Sequence, residues 1–126
     1  MVPKGLKYTA EHEWIRMDNG RVAIGITHHA QDALGDVVFI ELPRIGRSFQ
    51  AGDSIAVIES VKAVADVYTQ LAGTVAEVNE ALLDDPGLIN EDPYGQHVAV
   101  LELDSTDLPD TLMDAQAYEA YLEEDS

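Results

Sequence analysis

From Ser54 to Leu71 the chain runs for 18 residues rich in Val, Ile and Ala without a Gly, Pro or Asn, roughly three times the ordinary strand length of about 5–6 residues. One strand does not continue that far, so the segment has to turn within itself. A type I turn accepts most residue types, and the polar interruption Glu59-Ser60, continuing through Val61 to Lys62, is the expected corner although no turn-forming residue marks it. Two strands then run up to and away from an exposed tip that carries Lys62.

The remaining sequence is punctuated in the same short rhythm. Val22, Ile24 and Ile26 alternate with Arg21, Ala23 and Gly25, His12 to Met17 reads similarly, and Asp18-Asn19-Gly20 between them signals a hairpin. Val37–Leu42, Gly73–Val78 and Val98–Leu103 are further strand-like runs. Helices are fewer. His28–Leu34 can form two turns with Thr27 as N-cap and Gly35 as terminator, and Asn79–Leu83 a shorter piece stopped by Pro86. The clearest helix spans about residues 110–124, where Thr111 and Asp114 match a capping box and Leu112, Ala115, Tyr118, Tyr121 and Leu122 form an apolar stripe. Many short strands with one good helix predict a mostly β fold, a barrel or sandwich with peripheral helices, in a single domain over 1–126.

Charge narrows the range of partners. The chain has 24 acidic and seven basic residues, for a formal charge of −17, which repels nucleic acid and anionic membranes alike. With no cysteine, disulfides and thiol chemistry are absent. Neither a transit peptide nor a membrane span is legible, so a cytoplasmic protein of prokaryotic type is expected. All seven cations and only eight acids lie in residues 1–62, leaving 16 acids and no Lys or Arg beyond Lys62. Acidic, lysine-poor surfaces suit high salt, where charge repulsion is screened within a few Å, and a halophilic source is one reading of that imbalance.

An exposed lysine is ordinarily a solvated charge. Lys62 differs because lysine is nearly eliminated elsewhere, because Val61, Ala63 and Val64 are apolar company for a turn, and because a hairpin tip holds its side chain clear of the body. The octapeptide Glu59-Ser60-Val61-Lys62-Ala63-Val64-Ala65-Asp66 resembles the lipoyl-lysine hairpin of the glycine cleavage system H-protein family. Tyr8–Trp14, Gly25-Ile26-Thr27, Leu34–Pro43, Val75–Asn79 and Leu88–Tyr94 resemble that family's segments in matching order.

The resemblance implies a flattened, lipoyl-domain-like hybrid of barrel and sandwich, made of two antiparallel sheets, and a carrier that catalyses nothing by itself. It implies (R)-lipoate in amide linkage on Lys62, with glycine decarboxylase (P protein), aminomethyltransferase (T protein), dihydrolipoamide dehydrogenase (L protein) and a lipoylating enzyme as partners. Glu59, Val61, Ala63 and Gly73 match positions used for recognition by lipoylating enzymes, although Gly73 also reads as a turn glycine at positive φ. Glu13 and Asp66, with Glu11 and His29 as additions, match a cleft for the cationic aminomethyl arm. Each of these acids also reads as a solvated surface charge. The family usually has Gly-Trp where this chain has His97-Val98, and usually keeps lysines in the strand that here reads Leu101-Glu102-Leu103.

Other chemistry lacks a motif. His12, His28, His29 and His97 do not space as a metal set, and Trp14, Phe39 and Tyr94 read as core anchors. A biotinyl domain places methionines beside its lysine, unlike Val61 and Ala63. A Schiff-base lysine needs burial or a neighbouring cation, which the sequence around Lys62 lacks. A lipoyl relay protein, handing lipoate to other 2-oxoacid dehydrogenase complexes, and an unmodified acidic interaction module stay open.

Overall fold

The structure is a computed structural model that describes residues 2–105 and 108–124. Among the described residues, nine strands form two antiparallel sheets. The six-stranded sheet has the order β1 (Lys7–Tyr8), β2 (Glu13–Asp18), β3 (Arg21–Ile26), β9 (Ala99–Leu103), β8 (Gly73–Val78), β5 (Ser48–Phe49). The three-stranded sheet is β4 (Val37–Glu41), β6 (Ser54–Ser60), β7 (Val64–Tyr68). The two β-hairpins expected from sequence are both present. Asp18 pairs with Arg21, and Asn19 and Gly20 between them take positive φ, the pairing a two-residue type I′ turn requires.

Alternation within the strands builds the core. Ile15, Val22 and Ile24 from the larger sheet meet Ile40, Ile55, Ile58 and Val67 from the smaller one. Burying such side chains supplies about 1.5–3 kcal/mol each before the entropy cost of ordering the chain. On the opposite face of β2 and β3 a second cluster gathers Tyr8, Trp14, Ala23, Ala115 and Tyr118, with the Tyr8 and Tyr118 rings stacked at 4.7 Å. This cluster holds the C-terminal helix against the larger sheet.

That helix, α4, spans Ala115–Glu124 and starts later than the sequence pattern suggested. The capping box is replaced by Asp114 acting as the cap itself, its Oδ1 accepting from the Ala117 N–H at 2.8 Å. Residues 110–113 cannot be helical because Met113 exchanges two backbone hydrogen bonds with Tyr8 and extends the sheet edge. The helix α1 is His28–Leu34, with Thr27 Oγ1 accepting from Ala30 N–H and Gly35 ending it, as expected. Two one-turn helices, α2 (Ala81–Asp84) and α3 (Leu88–Glu91), flank Pro86, and the second was not anticipated. Phe39 is corrected from core anchor to exposed residue: a bulge between Val37 and Phe39 leaves both Val38 and Phe39 facing solvent. No described helix is long and apolar enough to cross a membrane.

Candidate functional site

The corner inside the 18-residue run falls at residues 61–63, so Val61 and Lys62 make it as expected, while Glu59 and Ser60 still belong to β6. Ser60 closes the tip. Its N–H donates to the Ala63 carbonyl at 2.8 Å, and its Oγ accepts from the N–H groups of Lys62 and Ala63 at 3.3 and 3.1 Å. A serine hydroxyl therefore does the local work that Gly or Asn does in commoner turns. Because the tip is held through its backbone, its side chains are free. Val61, Lys62, Ala63 and Glu59 are all exposed, Val61 by 69% and Val64 beside them by 66%.

The tip is also tied to the α1–β4 corner. The Val61 N–H donates to the Asp36 carbonyl at 3.0 Å, and Ser60 pairs with Val37 in the sheet. Gly35, just before, has φ 76° and ψ −157°, a region essentially reserved for glycine. The Lys62 stem passes over it, its Cε 3.4 Å from where a Gly35 Cβ would stand. Asn90 of α3 holds this corner: its Oδ1 accepts from Val37 N–H, and its Nδ2 donates to the Gly35 carbonyl and Gln31 Oε1, each at 2.9 Å. Sequence reasoning missed Gly35, Asp36 and Asn90 as supports. A lone Asn within the apolar turn Leu88-Ile89-Asn90 is the signal that could have found the last of them.

The acids assigned to a cleft collect at the far end of β7. Glu13 is only 1% exposed. It is no surface charge: Oε1 accepts from Thr9 Oγ1 and Oε2 from the Tyr68 N–H, both at 2.8 Å, so one carboxylate joins the two sheets. Burial, with a smaller push from Glu11, raises its pKa to about 6 despite those hydrogen bonds. Asp66 is exposed and accepts from Ser54 Oγ at 2.8 Å. The negative charges of Asp66, Glu11 and Glu13, with some desolvation, all push the Tyr68 phenol upward. Three of the four cleft residues thus converge on Tyr68, which sequence reasoning did not single out. The fourth, His29, stacks on His12 at 4.3 Å between ring centroids, and His12 Nδ1 lies 2.8 Å from the Tyr118 hydroxyl.

Gly73 is placed away from the tip, buried in β8 between Phe49 and Leu103. Its φ is not positive, so the turn-glycine reading is corrected. A Cβ there would stand 2.6 Å from the Glu102 carbonyl oxygen, and close strand approach demands the glycine. Among the described residues no group of three or more His, Asp or Glu could hold a metal ion.

Two antiparallel sheets enclosing one core, with the lysine at the exposed tip of one hairpin, give a lipoyl-domain-like fold. Comparison with known proteins sharpens this. Residues 6–125 match the sequence family described as Glycine cleavage H-protein. The chain is 48% identical to a glycine cleavage system H protein of Thermoanaerobacter sp. (strain X514) over 98% of both chains. It is 50% identical to one from Psychrobacter sp. (strain PRwf-1), over 96% of this chain and 98% of that one. A crystal structure of the H protein from Mycobacterium marinum aligns with a TM-score of 0.87 at 36% identity, covering 97% of this chain and 99% of the other. The chain belongs to the glycine cleavage H-protein family, whose members are lipoyl carrier subunits of the glycine cleavage system.

Proposed function

We propose that this protein is a single-domain carrier whose Lys62 holds (R)-lipoate in amide linkage. The observation that carries the reading is an apolar hairpin tip fixed by Ser60 through backbone hydrogen bonds, which leaves the Lys62 amine exposed and unencumbered. The lysine must lose a proton, attack the activated carboxyl carbon of lipoyl adenylate and displace AMP. Glu59, Val61 and Ala63 are exposed beside Lys62 in the chain and are the contacts we assign to the lipoylating enzyme. Gly73 would act at most through the sheet it permits.

When bound, the group supplies a dithiolane that takes an aminomethyl unit at glycine decarboxylase, yields it at the aminomethyltransferase and is reoxidised by dihydrolipoamide dehydrogenase. The geometry suits such an arm. About ten single bonds separate the Lys62 Cα from the dithiolane, a reach of ~12 Å. Lys62 stands in the bend and β7 begins at Val64, so Asp66 lies only two strand positions into β7, about 7 Å at a strand rise of about 3.3 Å. Asp66, on this edge strand, is the acid we assign to the cation of the loaded arm, with Glu11 and Glu13 adding negative charge near Tyr68. Amide formation removes the lysine charge, and those carboxylates favour the cation that the loaded arm carries. His29 stacks on His12, the residue before Glu13, and is the fourth residue we assign to this region.

Intact mass tests the attachment. Expression with lipoate should add one lipoyl group to the wild type and none to Lys62→Arg, and an unmodified wild type in lipoylation-competent cells overturns the reading. Exchange of glycine carboxyl with bicarbonate by a partner decarboxylase then separates the glycine system from a lipoyl relay, which would accept lipoate but support no exchange.

A further inference from the structure

The hairpin tip touches the body of the protein at a corner with no regular secondary structure to maintain it. Asp36, which accepts the Val61 N–H at 3.0 Å, lies between α1 and β4. Gly35 before it occupies backbone space closed to other residues and donates the last hydrogen bond of α1, and β4 begins only at Val37, so Asp36 itself belongs to neither element. Asn90 spans it instead. Its carboxamide binds the Gly35 carbonyl on one side of Asp36 and the Val37 N–H on the other, and anchors to Gln31 of α1 with its second N–H. Both donors and the acceptor of the side chain are thereby used. Ile89, the preceding residue, is fully buried in the main core and gives α3 a fixed footing. The path from core to lysine runs through Ile89, Asn90, the 35–37 corner and Val61, and the same corner supports the Lys62 stem.

We propose that Asn90 is a positioning residue for the lysine: it sets the Asp36 carbonyl, and through it the height and direction of the tip, so that a lipoylating enzyme meets Lys62 in one presentation. This rests on the reading of Lys62 as the lipoylated residue and deepens it. Asn90 does not touch the reacting atoms. Its effect passes through one backbone hydrogen bond, and that bond can be observed separately from the reaction.

Asn90→Asp keeps the size of the side chain and the acceptor for Val37, and replaces the NH2 by an oxygen facing two carbonyl-type oxygens. Amide hydrogen exchange at Val61 should then accelerate at least tenfold, roughly the loss of one buried hydrogen bond, while Ile24 in the larger sheet exchanges as before. With a purified lipoate ligase, lipoate and ATP, kcat/KM for modification of Lys62 should fall by about the same factor. Val100→Ala in β9, a stability-matched control, should leave both readings within about twofold. If Asn90→Asp does not fold, Gln31→Ala, which removes one of the three bonds, should move both readings in the same direction by about threefold. Wild-type exchange at Val61 with wild-type kcat/KM in the Asn90 or Gln31 variant overturns the proposal, as does an equal loss in Val100→Ala. A wild type that is never lipoylated, with Val61 exchange responding as expected, sinks instead the reading of Lys62 and with it the role assigned to the corner.

Discussion

The two ends of β7 solve opposite problems. At its start, beyond Val64, the chain bends back on itself using its own backbone and one serine, and almost every side chain there faces water. At its finish, the Tyr68 N–H on an edge strand lacks a strand partner and is satisfied by Glu13, a carboxylate brought from the other sheet and buried with it. The first end presents a group and costs little to mutate. The second stores electrostatic free energy, because an ionised carboxylate in a desolvated place is tolerated only through its hydrogen bonds. The carrier role proposed for Lys62 would use both: an exposed anchor and, at the other end of the same hairpin strand, charge that is already held in place.

The comparison can be broken experimentally, and substitution of Lys62 by Arg is the severest test, since lipoylation should vanish altogether while thermal stability changes by less than about 0.5 kcal/mol, as for exposed sites generally. Gly73→Ala should behave in the opposite way. A Cβ standing 2.6 Å from the Glu102 carbonyl oxygen should destabilise the fold by about 1–3 kcal/mol, read by urea unfolding, with lipoylation of the folded fraction unchanged. Retained stability with lost lipoylation would return Gly73 to the recognition surface.

Glu13 offers a sharper test through pH. Its folded pKa, about 6, lies above the ordinary value of 4.5, so the folded state binds the proton more tightly than the unfolded chain does. The contribution is greatest below about pH 4.5 and is lost as pH rises through 6. Relative to Glu13→Gln, the wild type should lose about 2 kcal/mol of stability between pH 4 and pH 7, and parallel stability curves for the two proteins would refute the buried-acid account. Asp66→Asn should have the smallest effect on the fold, within about 0.5 kcal/mol because the residue is exposed. It should nonetheless shorten the lifetime of the aminomethyl-loaded protein, measured by its rate of ammonia release, if the acids around Tyr68 shelter the cation.

Sequence carried the local features well and the long-range ones poorly. The Asn19-Gly20 turn and the Thr27 cap depend on a few adjacent residues and fall where local chemistry puts them, and the bend expected from Glu59 to Lys62 falls just after its first two residues, at 61–63. The late start of α4 could not be read that way, because the competitor that straightens Met113 is Tyr8, a residue more than a hundred positions earlier. The burial of Glu13 has the same origin: its partner Tyr68 lies 55 residues away, in a different sheet. Gly73 was legible as a glycine that mattered, but its reason, the carbonyl of Glu102, belongs to a strand pairing that only the fold reveals. Lys62 stands out in the sequence because its context is almost wholly local, whereas the acids around Tyr68 are brought together only by the fold.

The paired backbone hydrogen bonds between Tyr8 and Met113 have one more consequence. They bring the first strand and the approach to the last helix side by side, on the sheet that does not carry the lysine hairpin. The order in which the elements are threaded is therefore separable from the architecture they form. A circular permutant that joins the ends by a flexible linker and opens the chain at Asn19-Gly20 should keep both sheets, and would offer new termini for attachment to a scaffold while the Lys62 hairpin stays free.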